Sequence, residues 1–242
     1  MAFKTEPHKL TKHLQAMDQQ IYDTDSPLPR VSHTWLIVGS RGAGKSTLAL
    51  QALTHQFKGF YDNIWLISKT YKNDVLSKKQ LRSLVEELEE EGKVHQTIDE
   101  DLANDMIEYM EDFNQNFDRK KHKREPRSLI LLDDQLSSLP RNMLKSRIND
   151  LIVNGRHLRV SVWVLVQKYV SVPLLWRSNA QLISLYGGLN RKENKALEED
   201  LAVEPELLKR LLEFATMGRS FLHINLFDNP PKFYKKFDRI IL

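Results

Sequence analysis

A glycine-rich segment carries the clearest chemical pattern in this sequence. It reads Gly39-Ser40-Arg41-Gly42-Ala43-Gly44-Lys45-Ser46 and matches G-x-x-x-x-G-K-[ST] at every fixed position. Glycines let backbone N–H groups converge on phosphate oxygens, and a helix N-terminus adds positive charge at the same place. We predict that residues from Gly39 to Thr47 bind a nucleotide, with Lys45 at the β- and γ-phosphates and the Ser46 hydroxyl as a Mg²⁺ ligand. Arg41 is expected to face solvent.

Two adjacent carboxylates end an apolar run further along the chain. Leu129-Ile130-Leu131-Leu132 reads as a buried strand and is followed directly by Asp133 and Asp134. Magnesium bound to a nucleotide takes a carboxylate from the end of a neighbouring strand, so Asp133 is predicted to lie in the metal shell, through water. Asp134 is predicted to orient and deprotonate the attacking water. The alternative is that the two aspartates only begin a surface turn.

The next apolar run, Ser161 to Val166, ends in a polar residue, Gln167. This order resembles the additional-strand, catalytic-carboxylate class of P-loop ATPases. In that class the strand after the metal-binding strand carries a polar sensor of the γ-phosphate. Gln167 is the predicted sensor, and the alternative is that it caps a loop.

The elements around these residues alternate between strand and helix patterns. Short apolar runs predict strands at 34–38, 63–68, 128–132, 161–166 and 181–186. Helical spacing covers 47–57, 77–91, 99–117, 141–154 and 191–216, the last interrupted near Pro205. The tail, 220–226 and 232–240, predicts an antiparallel hairpin. The pattern indicates an α/β fold of three layers, with a mainly parallel central sheet covered on both faces and a C-terminal β-hairpin.

Composition excludes several classes of protein. The 242 residues are 41% hydrophobic, which suffices for one large α/β domain or two small ones. The absence of cysteine excludes disulfide scaffolds, thiolate zinc sites, iron–sulfur clusters and cysteine nucleophiles. The sequence has no apolar stretch of the roughly 18–20 residues that a membrane span needs, and its start has no apolar core of a secretory signal. A soluble, intracellular protein without a membrane partner is expected.

Together, these motifs resemble a known family. The phosphate loop, the Leu131-Leu132-Asp133-Asp134 ending, the segment Asn154 to Ser161 and the strand ending in Gln167-Lys168 resemble the genome-packaging ATPases of large DNA viruses (poxvirus type) and virophages, within the FtsK–HerA superfamily. The resemblance covers residues 33–190. It implies ATP and Mg²⁺ as cofactors, and hydrolysis coupled to moving double-stranded DNA into a capsid. It also implies a homo-oligomeric ring of about five or six subunits with ATP between subunits.

Polarity and charge along the chain give the expected organisation, and the resemblance gives the expected location. Residues 31–242 would be the P-loop ATPase domain, with a charged helical insertion at about 72–125. Residues 1–30 would be an N-terminal arm that ends at Ser26-Pro27-Leu28-Pro29. The protein would work in the host cytoplasm or virus factory, associate with the virion, and contact a capsid or portal protein.

By this likeness Arg156 lies where a finger would be offered to a neighbour's nucleotide, with Arg159 as the second candidate. An arginine supplied across an interface stabilises the charge on the transferred phosphoryl group and accelerates hydrolysis by ~10³–10⁵-fold. The alternative is that Arg156 pairs with an acidic neighbour on the surface.

Basic residues that could contact DNA phosphates are scattered along the chain. The candidates are Lys69, Lys72, the run from Arg119 to Arg124, Lys168 and Arg177. Each could instead belong to a solvated surface. We interpret Lys232 to Phe237, where bases and aromatics alternate, as an amphipathic edge strand rather than a stacking platform. We expect His157 to pack or to form a hydrogen bond, because no second metal ligand lies at a suitable spacing.

Two other functions share the phosphate loop. A small-molecule or polynucleotide kinase adds an arginine-rich lid, for which the run from Arg119 to Arg124 is the candidate. That run precedes the metal-binding strand, and the paired carboxylates with a sensor strand favour hydrolysis. A GTPase switch needs a guanine-selecting Asn-Lys-x-Asp, which the sequence lacks.

Overall fold

The computed structural model describes residues 26–71, 79–136, 139 and 146–241, with the backbone alone at 79–81. In this part of the chain the strands are β1 Thr34–Val38, β2 Asn63–Ser68, β3 Val94–His95, β4 Ser128–Asp133, β5 Val160–Val166, β6 Leu182–Tyr186, β7 Phe221–Asn225, β8 Lys232–Lys235 and β9 Asp238–Arg239. The helices are α1 Lys45–Thr54, α2 Lys79–Glu90, α3 Glu100–Asn116, α4 Arg119–His122, α5 Arg147–Val153, α6 Gly155–Leu158, α7 Leu174–Ser178, α8 Arg191–Leu201 and α9 Pro205–Ala215. None of these helices is long and apolar enough to cross a membrane.

The described strands form one sheet in the order β3-β2-β4-β5-β1-β6-β7-β8-β9. Every pair from β3 to β6 is parallel, whereas β7, β8 and β9 join the sheet in antiparallel pairs. β5 therefore lies between β1 and β4 as an additional strand. The predicted α/β class, with a mainly parallel sheet, an additional strand and a C-terminal hairpin, is confirmed.

Strand register brings three strand ends to one edge of the sheet. Val38 pairs with Val166, and Asp133 pairs with both Leu165 and Ser68. Because these strands are parallel, their carboxyl ends meet, and the segments that follow β1, β4 and β5 start side by side. We call the end of the sheet where the parallel strands finish the carboxyl edge, and the end where they begin the amino edge.

Alternation along the strands gives the sheet two apolar faces. Trp35 and Ile37 of β1 face a core with α1 and α2, and Leu36 and Val38 face a second core with α3, α5, α8 and α9. All four side chains are fully buried, and burial of such side chains contributes about 1.5–3 kcal/mol each. The predicted three layers are present.

The region predicted as a helical insertion, 72–125, also contributes to the sheet and the core. Its strand β3 pairs with β2 at the sheet edge, and Met106 and Met110 of α3 are fully buried. A two-residue strand is too short to give an alternating pattern, so β3 was not predicted. Residues 1–25 of the predicted arm lie outside the described residues, and so do residues 141–145 of the helix predicted at 141–154.

Two buried histidines hold the segment that enters β1. The Trp163 indole N–H donates to Nε2 of His33 at 2.9 Å, so Nδ1 of His33 carries the proton and donates to the Val31 carbonyl at 2.8 Å. Nε2 of His223 donates to the Pro27 carbonyl at 2.7 Å, and the Ser184 hydroxyl lies 2.9 Å from its Nδ1. Burial lowers the pKa of each imidazole to about 4. Both rings are therefore neutral at pH 7.

This neutrality predicts acid sensitivity. The unfolded chain takes up protons at histidine near the ordinary pKa of 6.5, whereas the folded chain does so near 4. The free energy of unfolding should therefore be highest above pH 6.5 and fall towards pH 4, by at most about 1.4 kcal/mol per pH unit for each histidine. Thermal unfolding midpoints between pH 5 and 7.5 measure this slope.

The double variant His33→Gln/His223→Gln should unfold with a flatter pH dependence than the wild type. His157→Gln is the matched control, because His157 is exposed. An unchanged slope in the double variant would show that these two imidazoles are not the source of the acid sensitivity.

Candidate functional site

The glycine-rich segment forms the loop between β1 and α1 at the carboxyl edge. The N–H of Gly39 donates to the Val166 carbonyl at 3.0 Å, which ties the start of the loop to the end of β5. A Cβ on Gly39 would lie 2.8 Å from the Cβ of Tyr186, so no larger residue fits there. Gly44 caps α1 with φ of 105°, a left-handed conformation that glycine adopts without strain.

Lys45 and Ser46 start α1 and point into this site. The Lys45 side chain is buried, and its ammonium donates to the carbonyls of Gly39 at 2.9 Å and Ser40 at 3.2 Å. The Ser46 hydroxyl donates to Oδ2 of Asp133 at 3.1 Å. Arg41 and Thr47 are exposed. The loop and the end of β4, which are far apart in sequence, are thus in direct contact.

Asp133 is a buried carboxylate surrounded by hydroxyls. It accepts hydrogen bonds from Ser46 and from Ser68, the latter at 3.4 Å. Burial raises the pKa of the Asp133 carboxyl, and the negative charge of Asp134 acts in the same direction. The Ser46 and Ser68 hydrogen bonds and the Lys45 ammonium act against them. A buried carboxylate with a raised pKa is stabilised by a cation placed beside it.

Asp134 differs from Asp133 in its backbone conformation and in its exposure. Its φ of 52° lies in the left-handed region, and its N–H donates to the Leu165 carbonyl at 3.1 Å. The side chain is exposed, and its Oδ2 accepts a hydrogen bond from Nε2 of Gln167 at 3.1 Å. A non-glycine residue at positive φ stores strain, and such strain is common where a functional side chain is aimed.

Sequence reasoning missed three residues that support this site: Ser68, Gln135 and Tyr186. Ser68 ends β2 opposite Asp133, and a polar residue at that strand end was the available signal. Gln135 is buried and donates to the carbonyls of Asp133 at 2.9 Å and Gln96 at 3.2 Å, which fixes the turn after β4. No local pattern distinguishes Gln135 from an ordinary loop residue.

The donor set fits a magnesium ion. Ser46 and Asp133 offer a hydroxyl and a carboxylate oxygen, the hard ligands that Mg²⁺ prefers, within 3.1 Å of each other. Magnesium in such sites takes its other ligands from phosphates and water. The described residues hold no group of three His, Cys, Asp or Glu side chains that could bind a metal without them. The arrangement therefore suits a phosphate-bound cation.

The two arginine candidates lie at the amino edge, away from the loop. Arg156 is in α6, which precedes β5, whereas Gln167 follows β5, and a seven-residue strand spans about 20 Å. Arg156 is exposed, and its guanidinium has no hydrogen bond or ion pair with a described residue. Arg159 instead forms an ion pair with Glu125 at 3.0 Å. Neither arginine reaches the phosphate loop of its own chain.

The other basic candidates divide into engaged and exposed groups. Arg124 donates twice to Asp62, at 2.7 and 2.6 Å, Arg119 pairs with Glu125 at 2.8 Å, and Arg177 pairs with Asp200 at 2.7 Å. The exposed candidates are Lys69, Lys120, Lys121, Lys123 and Lys168. Lys72 lies outside the described residues. His157, expected to pack or to form a hydrogen bond, is exposed in α6.

The close contact at Gly39 gives a test of the loop. Gly39→Ala places a methyl group against the Cβ of Tyr186, which is attached to the backbone and cannot rotate away. We expect a loss of about 1–3 kcal/mol in unfolding free energy and weaker binding of inorganic triphosphate. Urea unfolding and calorimetric titration measure the two effects. Gln115→Ala, at an exposed position of α3, should change neither. An equally stable Gly39→Ala would contradict the described packing.

Solved structures with this fold include a viral genome packaging NTPase and a conjugation coupling protein. The genome packaging NTPase B204 from Sulfolobus turreted icosahedral virus 2 in complex with sulfate superposes with a TM-score of 0.60 at 13% identity, over 87% of this chain and 98% of that one. In complex with AMPPCP the TM-score is 0.54 at 14% identity, over 84% and 97%. The pCW3 conjugation coupling protein TcpA gives 0.52 at 15% identity, over 86% of this chain and 62% of that one. At these identities the likeness establishes the fold.

Sequence comparison identifies the family. Among curated proteins, none matches the sequence significantly. The family model described as "Poxvirus A32 protein" matches residues 24–216, a range that contains the phosphate loop, both aspartates and Gln167. This confirms the resemblance to poxvirus-type packaging ATPases. The chain belongs to the poxvirus A32 protein family.

Proposed function

We propose that this protein is an ATP-hydrolysing translocase that packages double-stranded viral DNA into a capsid. One observation carries the proposal. The Ser46–Asp133 contact and the Asp134–Gln167 contact, both at 3.1 Å, lie at the edge of the sheet that also holds Lys45 and its loop. Support comes from B204, described as a genome packaging NTPase and solved with AMPPCP and with ATP-gammaS.

Each group has a part in hydrolysis. The loop amides and the Lys45 ammonium bind the β- and γ-phosphates. Ser46 and Asp133 would hold Mg²⁺, which would neutralise charge on the phosphates. Asp134 accepts a proton from the attacking water, and Gln167 holds the Asp134 carboxylate in place through its amide N–H. Gln167 is also positioned to sense the γ-phosphate from the end of β5.

The position of Arg156 supports a ring. An exposed arginine at the amino edge cannot serve its own nucleotide, but it can serve a nucleotide at the carboxyl edge of a neighbouring copy. Arg156, without an intramolecular partner, is therefore the proposed finger in preference to Arg159, which is held by Glu125.

Duplex DNA would be held through its backbone phosphates, because a motor that moves over any sequence needs contacts independent of sequence. Lys120, Lys121 and Lys123 are the proposed contacts, since they are exposed while the arginines of the same run are engaged. These engagements also argue against a kinase lid, because they hold the run beside the starts of β2 and β4. A capsid or portal partner, and work in the host cytoplasm or virus factory, complete the proposal.

Hydrolysis with and without long duplex DNA tests the central claim. The wild type should release phosphate from ATP without an added acceptor, and DNA should accelerate the release. Lys45→Ala should lose ATP binding, and Asp134→Ala should keep binding but hydrolyse at least ~100-fold more slowly, because only the proton acceptor is removed. Rapid turnover by Asp134→Ala would reject its assignment, and turnover indifferent to DNA would reject the motor.

Mixed assemblies test the arginine finger. Arg156→Ala should bind ATP normally but hydrolyse it ~10³-fold more slowly. Mixing it with Asp134→Ala should restore part of the activity, since some interfaces then combine an intact Asp134 with a neighbour's intact Arg156. Arg159→Asn is the control that should keep activity, asparagine being tolerated at its φ of 55°. Inactive mixtures would count against a finger acting between subunits.

A further inference from the structure

The order of strands gives the bound nucleotide a direction. β1, which carries the phosphate loop, has β5 on one side and β6 on the other. Asp133, Asp134 and Gln167 all lie on the β5 side, so the terminal phosphate of a bound nucleotide lies on that side. The nucleoside must then leave the loop on the other side, over the end of β6.

The end of β6 is open at the surface. After Tyr186 the chain continues with Gly187 and Gly188, and around Gly188, whose φ is +93°, a Cβ would meet nothing within 4 Å. The pairing of Tyr186 with Phe221 places the segment before β7 at the same edge of the sheet. Thr216 of that segment contacts Gly187, where a Cβ would lie 3.2 Å from the threonine hydroxyl. Two glycines and Thr216 thus form a platform of backbone beside the phosphate loop.

Two large apolar side chains stand exposed next to this platform. Met217 follows Thr216 and is 68% exposed, and Phe214, in the last turn of α9, is 52% exposed. The Thr216 hydroxyl donates to the Leu212 carbonyl at 2.8 Å, which holds the turn, and the Lys235 ammonium lies 4.6 Å from the centroid of the Phe214 ring. Exposed apolar side chains beside a phosphate site provide a surface for a flat, weakly polar ring.

The hydroxyl of a largely buried tyrosine adds a polar contact. The Tyr186 side chain is only 8% exposed and packs under Gly39, and its hydroxyl lies 3.6 Å from the position of a Cβ on Gly44. Among the residues that the structure describes, this hydroxyl has no hydrogen-bond partner. Burial raises the pKa of Tyr186 to about 12, so the hydroxyl remains a donor at neutral pH.

We infer that the nucleotide base lies over Gly187 and Gly188 against the Met217 side chain, with the Tyr186 hydroxyl donating to the sugar–phosphate part. The inference rests on the proposed function, because it requires the phosphates to be held by the loop. It assigns Met217 to base binding, a role separate from the groups that act on the terminal phosphate. Sulfur–aromatic contact is favourable, and methionine adapts to the shape of a ring.

Calorimetric titration with ATP and with inorganic tripolyphosphate tests the assignment of Met217 to base binding. Met217→Ala should weaken binding of ATP by about two- to tenfold, from the lost sulfur–aromatic contact, and leave binding of inorganic tripolyphosphate unchanged, since tripolyphosphate has no base. Met217→Trp should bind ATP at least as tightly as the wild type, and its indole fluorescence should change with ATP but not with tripolyphosphate. Val153→Ala is the matched control, because Val153 is 44% exposed but ends α5 at the amino edge.

Every other result overturns the inference. Equal loss of both ligands in Met217→Ala would indicate a disturbed loop, and no loss of either would place the base elsewhere. A wild type that binds tripolyphosphate and ATP equally, with all variants alike, would also contradict it while leaving the phosphate site intact. A wild type that binds neither ligand would instead reject the proposed function, and the inference with it.

Discussion

Everything at the site depends on the register between parallel strands. Because Asp133 pairs with Leu165, and Val38 with Val166, three strands end at one level and turn their following residues towards a common point. The hydrogen bond from Ser46 to Asp133 is the visible result, joining two segments that are distant in sequence. A shift of one residue in any of these pairs would send alternate side chains to the wrong face and separate the hydroxyl from the carboxylate.

Much of the fold was predictable, because buried parallel strands are read directly from apolar runs. The predicted bounds of β1 and β2 agree with the structure, whereas β4, predicted at 128–132, extends to Asp133. The loop and its two partner strands were found because G-x-x-x-x-G-K-[ST] and a strand ending in aspartates are local patterns. The short strand β3 was not predicted, since pairing at a sheet edge decides it and two residues carry no period.

Other features of the site depend on contacts that no single segment contains. Tyr186 is important because it lies under Gly39, and Gln135 because it bridges to Gln96. The left-handed backbone of Asp134 is set by its bond to Leu165 on the adjacent strand. Likewise, only the three-dimensional arrangement separates Arg156 from Arg159, since the difference lies in where Glu125 is placed. These features depend on tertiary contacts, which local sequence patterns do not predict.

The two buried imidazoles have a mechanical consequence. His223 of β7 donates a hydrogen bond to the Pro27 carbonyl, and His33, just before β1, donates one to the Val31 carbonyl. The His33 ring also accepts a hydrogen bond from Trp163 of β5. Asn225 adds a further bond, to the Ser26 carbonyl. Tension applied at Ser26 would therefore be transmitted through these hydrogen bonds to β7, β1 and β5. Two of those strands, β1 and β5, end at the phosphate loop and at Gln167. The segment that starts at Ser26 and the nucleotide site are therefore connected through the same two strands.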